Sequence, residues 1–184
     1  LLRYCYHVAG AVGCMMAVLM GVDPEDEATL DRACDLGIAF QLANIARDIS
    51  EDELADRCYL PVEWLVEMDM PPGEHMKPWL RPQLAILGRR LADMAAAYED
   101  SARHGTGALP ARAAWAVLAA AGIYGDIARE VARRGEHAWD HRVVTPGREK
   151  LGWVIRAGRQ VPGRARRWPA ATARAVGLWT RPTI

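Results

Sequence analysis

The sequence predicts an all-α protein, and three observations carry that prediction. Alanine, the best helix former, is the commonest of the 184 residues, with 32 copies. Strand-type residues are thin: there is one Phe, and no segment shows sustained apolar/polar alternation. Stretches of helical length are punctuated by Pro and Gly. Hydrophobic residues make up 51%, enough for a core and too many for a disordered chain. The 23 Lys and Arg balance the 23 Asp and Glu, which argues against a dedicated nucleic-acid binder. The cysteines, at 5, 14, 34 and 58, include no Cys-x-x-Cys pair, so they read as reduced thiols of a cytoplasmic protein.

The first element spans the charge-free stretch Tyr4 to Val22. It reads as a buried core helix, with a membrane span or a signal segment as the alternatives. Gly10, Gly13 and Ala17 share one face, where small residues let another helix backbone come close. The chain opens on Leu1-Leu2-Arg3 without Met, the expected start of a later part of something longer. Asp23-Pro24-Glu25-Asp26 opens a helix over about 25–52. A connector at 56–59 leads to a short helix at about 60–68, and Met70-Pro71-Pro72-Gly73 is a turn. Long helices follow over about 79–103 and 110–134, the second with Pro110 in its first turn and Gly135 at its end. Thr145-Pro146 opens a helix over about 147–160. Residues 1–160 are expected to form one domain and 161–184 a loose tail. In that tail Arg164, Arg166, Arg167, Arg174 and Arg181 interleave with Trp168 and Trp179, a composition also suited to an anionic membrane surface.

Chemistry is concentrated in the second helix. On a 100° wheel, Gln41, Asn44, Asp48 and Asp52 fall within an arc of roughly 80°. They form one polar row on a helix otherwise made of Ile, Leu, Ala and Phe, where a solvent face would carry Lys, Glu and Arg. Oxygen ligands one turn apart suit hard divalent cations. Magnesium in particular takes one or two carboxylates and completes its shell with water and substrate phosphates. Arg47 and Arg57 nearby read either as phosphate contacts or as surface ion pairs.

Several motifs resemble the squalene/phytoene synthase family. Tyr4-Cys-Tyr-His-Val-Ala-Gly-Ala-Val-Gly13 is similar to its Tyr-Cys signature, and Leu36 to Asp52 resembles its second Asp-rich motif. Arg57-Cys-Tyr-Leu-Pro61 resembles the segment that follows that motif. Tyr124 and the run Gly135 to Arg142 resemble the C-terminal helix and loop of bacterial phytoene synthases. The resemblance covers about residues 1–160. It implies an isoprenoid-synthase-type helical bundle that joins two allylic diphosphates head to head. It implies Mg²⁺, with Mn²⁺ as an alternative, held by Asn44, Asp48 and Asp52. Tyr4, Asp48 and Asp52 would be catalytic, and Gln41, Asn44, Arg47, Tyr59 and Tyr124 would contact substrate. Val8, Val12, Met15 and Leu19 read either as prenyl-tunnel lining or as plain core.

The family's first Asp-rich motif has no counterpart upstream of Tyr4. Asp31-Arg-Ala-Cys-Asp35 has the spacing but lies on the same helix as the second motif. The bundle is therefore expected to be incomplete and inactive alone, with an N-terminal half or a partner chain supplying the rest. Expected substrates are two geranylgeranyl diphosphates giving phytoene through a cyclopropyl intermediate, for carotenoid biosynthesis. Squalene or dehydrosqualene synthesis from C15 diphosphates is the alternative, and so is a non-catalytic assembly role. A small membrane-anchored helical protein is a third reading. Cytoplasmic location is expected, with peripheral contact at the inner face of the membrane. No reading of the sequence accounts for Asp126.

Overall fold

The computed structural model describes residues 1–71 and 73–182 and contains no strand among them. Among the described residues seven helices follow in order: α1 (Leu2–Leu19), α2 (Glu27–Leu54), α3 (Val62–Glu67), α4 (Arg81–Arg103), α5 (Ala111–Arg134), α6 (Gly147–Gln160) and α7 (Arg164–Arg167). Pro72, within the expected turn, and residues 183–184 of the tail lie outside the described residues.

Helix α2 is the axis of the bundle and packs against α1, α4 and α5. Its entry is capped by Asp26, whose carboxylate accepts the Thr29 N–H at 3.1 Å. The expected start at about residue 25 falls at Glu27, and Asp23, at the head of the same segment, accepts the Glu25 N–H at 2.9 Å and closes a turn before the helix. The buried face of α2 carries Ile38, Leu42, Ile45 and Ile49, which join Leu84, Leu87 and Leu91 of α4 and Val131 of α5 in one core. Each such side chain contributes about 1.5–3 kcal/mol by leaving water. Helix α5 stops at Gly135, whose φ of 56° is a left-handed conformation that glycine adopts freely.

Helix α1 departs from the expected buried core helix. Only 17% of its 18 residues are buried, although it is apolar and long enough to cross a membrane. One face, with Cys5, Gly10 and Ala17, packs on α2, while Val12, Met15 and Leu19 are exposed. The small-residue face does what its spacing suggested. A Cβ on Gly13 would lie 2.3 Å from the Ala33 carbonyl oxygen, and one on Gly37 would lie 2.3 Å from that of Ala9. Residues Tyr6–Gly10 form a π turn inside the helix, a feature with no sequence signal. That turn delivers the Ala9 carbonyl to Gly37.

The C-terminal segment, expected to be loose, is tethered at specific side chains, although most of its described residues stay exposed. Asp35 is fully buried on α2, and the Arg174 guanidinium reaches it at 2.6 Å. Ser101 also donates to Asp35, and the Trp179 N–H donates to the Tyr98 hydroxyl at 2.9 Å. Arg181 pairs with Asp31 at 2.9 Å. Arg164 donates to the carbonyls of Thr106 and Leu109, and Trp168 is buried. The composition alone hides this, because Arg174 and Arg181 find carboxylates more than a hundred residues away on α2, and Arg164 finds carbonyls more than fifty residues away. The Asp31-x-x-x-Asp35 pair therefore anchors the C-terminal strap. Asp126 also has a structural role: it accepts from Arg129 at 2.8 Å and from the Trp153 indole. All four cysteines are free.

Candidate active site

Two hollows adjoin along α2. The polar one, of about 210 Å³, is lined by Tyr4, Gln41, Asn44, Arg47, Asp48, Asp52 and Tyr59, together with Ile45. The second is an apolar groove of about 440 Å³ that runs between α1, α2 and α5. Gln41 and Asn44 line both, so the groove opens directly onto the carboxylates.

Seven of the eight residues to which the resemblance assigns catalysis or substrate contact thus share one hollow. The α2 row brings four of them together because its 3.6-residue period keeps Gln41, Asn44, Asp48 and Asp52 on one side. Tyr4 arrives from α1 and Tyr59 from the loop after α2, and their rings stack with centroids 4.9 Å apart. The eighth residue, Tyr124 on α5, lies in the apolar groove and stacks on Phe40 at 4.1 Å. Val8 and Val12 line the groove, but Met15 and Leu19 do not; Met16 and Met20 take those places. The groove follows the i, i+4 row of α1, and Met15 and Leu19 fall just off it, facing outward.

The electrostatics centre on Asp48. Arg47 grips both its oxygens, at 2.6 and 2.5 Å, and Arg142 reaches Oδ1 at 2.9 Å. Burial pushes the Asp48 carboxyl up, but hydrogen bonds and charge from the two arginines outweigh it and hold the group below the usual carboxylate range. Asp52 behaves oppositely. Burial, and then the neighbouring charge of Asp48, push its carboxyl above the usual range. Tyr4 is pushed up to about 12, first by sharing its proton with the Tyr59 hydroxyl and then by burial. Arg57 is exposed and lies outside the polar hollow.

Sequence reasoning assigned no role to Arg142 or Phe40. Arg142 also stands 3.5 Å from Glu51. It ends the run Gly135 to Arg142, but no spacing links it to α2. Phe40 belongs by sequence to the apolar background of its helix, and only its stacking on Tyr124 sets it apart. Trp139, from the same loop as Arg142, is buried and donates its indole N–H to the Ala46 carbonyl at 2.9 Å, which fixes that loop over α2.

Comparison with known proteins agrees with this architecture. The Squalene/phytoene synthase family model matches residues 1–149. The 15-cis-phytoene synthase of Enterobacter agglomerans is 48% identical over 182 residues, which is 98% of this chain and 60% of that protein. That of Pantoea ananas is also 48% identical, over 98% of this chain and 57% of its own length. A solved dehydrosqualene synthase in complex with ligand superposes with a TM-score of 0.78 at 26% identity, over 88% of this chain and 56% of that one. The chain therefore spans somewhat more than half the length of these relatives. With a matched family model over most of its residues and an all-helical fold shared with a solved synthase, the chain belongs to the squalene/phytoene synthase family.

Proposed function

We propose that this chain provides one wall of a prenyltransferase site that joins two geranylgeranyl diphosphates head to head, giving phytoene by way of a cyclopropyl diphosphate. The observation that carries the reading is the continuity of the two hollows at Gln41 and Asn44: an apolar groove for a hydrocarbon ends at a carboxylate-lined pocket for a diphosphate. The C20 substrate is favoured by the relatives at 48% identity, which are named phytoene synthases.

The donor set suits an open Mg²⁺ site. Asn44, Asp48 and Asp52 carry oxygens on one helix face, and Asp48 would ligate the ion once Arg47 and Arg142 turn from its carboxylate to substrate phosphate. Such a site relies on substrate phosphates to complete the shell. When bound there, the metal supplies Lewis-acid neutralisation of the departing diphosphate. Asp48 stays ionised because Arg47 and Arg142 flank it, and the same two guanidiniums are placed to bind phosphate oxygens. Gln41 and Asn44 hold the junction between diphosphate and hydrocarbon. Tyr4 keeps its proton at neutral pH, so it acts as a hydrogen-bond donor or through its ring face and not as a base. Val8, Val12, Phe40 and Tyr124 give the allylic cation an apolar, aromatic wall that excludes water.

The first Asp-rich motif has no counterpart in these 184 residues. Full turnover on this reading takes that motif from the rest of a longer chain or from a partner chain. Cytoplasmic placement with contact at the inner membrane face belongs to the same reading, because the product is a hydrocarbon; Arg166, Arg167 and the outer face of α1 are the exposed surfaces for it.

The test is the intact mass of the protein from its source, with geranylgeranyl diphosphate turnover on that material, with and without Mg²⁺. Mg²⁺-dependent phytoene, lost in Asp48→Asn, supports the proposal. Turnover of C15 diphosphates alone replaces it with squalene-type synthesis. Folded source protein that neither binds nor turns over prenyl diphosphate sinks it in favour of an assembly role.

A further inference from the structure

The apolar groove has a polar mouth at Gln41 and Asn44, and its other end is walled by Thr29, Arg32, Gly105 and Thr106. Along α2, Arg32 and Asn44 are separated by about 18 Å of helix rise. An arginine is an unexpected wall for a hydrocarbon groove, since an unpaired buried cation is costly. Here the head group is turned into a polar network. Arg32 is 7% exposed, donates to the Ser101 hydroxyl at 2.6 Å, and donates again to the backbone carbonyl of Thr172 in the C-terminal strap. Ser101 in turn donates to Asp35, which Arg174 of the same strap holds. The stem is pinned as well: a Cβ on Gly105 would lie 2.7 Å from the Arg32 Cβ.

We propose that Arg32 is the chain-length stop of the groove, and that the C-terminal strap holds it in place. The inference rests on reading the groove as a prenyl site. A leucine or methionine in this position would change rotamer to admit a longer chain. The Arg32 stem is fixed at both ends, so withdrawing it breaks charge-assisted hydrogen bonds that are shielded from water. The strap thus sets, from outside the groove, how deep a hydrocarbon enters. Arg32 touches the far end of the chain and none of the reacting atoms, so it governs specificity and not the chemical step.

The experiment measures calorimetric binding of C15, C20 and C25 prenyl thiolodiphosphates, and of the matching free alcohols, to the intact protein with Mg²⁺ present. Wild-type affinity should rise from C15 to C20 and gain nothing at C25. Arg32→Ala should raise the C25 to C20 affinity ratio about tenfold, the scale on which apolar pockets discriminate hydrocarbon length. Gly105→Ala keeps the guanidinium, crowds the same wall, and should lower C20 affinity about tenfold while sparing C15. Should Arg32→Ala lose its helical circular dichroism, Gly105→Ala decides alone. Length profiles identical to wild type in the folded variants overturn the stop. A length cut-off that moves with Arg32 for the alcohols, with no added affinity from the diphosphate, keeps the stop and overturns the prenyl-transfer reading. Mg²⁺-dependent diphosphate binding with a cut-off indifferent to Arg32 does the reverse. Absence of binding by any chain length overturns both.

Discussion

Arg142 is 94 positions from Asp48 in sequence, yet its guanidinium stands 2.9 Å from the Asp48 carboxylate. The contact ties the loop after α5 to the middle of the α2 polar row. It places a second cation, beside Arg47, in the polar hollow that the proposed function gives to a diphosphate. Arg142 is about half exposed and Asp48 mostly buried, so the arginine is free to exchange its carboxylate partner for a phosphate.

Arg142→Ala should weaken Mg²⁺-dependent binding of a prenyl thiolodiphosphate roughly tenfold or more, the range expected for one charge-assisted contact. Stability should hardly change, because an ion pair with an exposed partner contributes little. Calorimetric titration and a urea melt on the same protein check both halves.

Breaking the Asp35–Arg174 pair should do the opposite. Asp35 is fully buried, so Arg174→Ala leaves a carboxylate without its main partner and should cost about 3–5 kcal/mol. Asp35→Asn combined with Arg174→Gln should recover most of that loss, since neither charge then remains. Urea midpoints for the three variants provide the measurement.

Tyr4 should titrate late. The phenol is lifted from 10.0 to about 12 by hydrogen bonding with Tyr59 and by burial, so its protonated form is the one the fold favours. The stabilising contribution is fully present below pH 10 and is lost as pH rises through about 12. In Tyr59→Phe the first cause is gone, and the Tyr4 pKa should fall back toward the ordinary phenol value. Ultraviolet difference titration of wild type, Tyr4→Phe and Tyr59→Phe resolves the group.

Two glycines on different helices should respond with opposite sign. Gly37→Ala forces a methyl to within 2.3 Å of the Ala9 backbone oxygen and should destabilise by about 1–3 kcal/mol. Gly152, inside α6 with nothing within 4 Å of an added Cβ, should gain about 0.5–1 kcal/mol on mutation to Ala. Denaturant midpoints of the two variants settle the comparison.

The sequence by itself determined the helices and the polar row. Those features are local: helix propensity, Pro and Gly punctuation and a 3.6-residue period act over a few turns, which is why Gln41, Asn44, Asp48 and Asp52 lie on one face. The tertiary structure alone decided which distant residues meet them. Arg142 on Asp48, Tyr59 on Tyr4 and Phe40 on Tyr124 depend on how the helices pack and where the loops between them run. It also converted the tail from an apparently loose segment into a strap, because Arg174 and Arg181 find carboxylates on α2 that no local pattern links to them. The small-residue row of α1 marks in the sequence the side that meets a neighbouring backbone, but only the packed helices show that the neighbour is α2, that the π turn brings the Ala9 carbonyl to Gly37, and which adjoining side lines the groove.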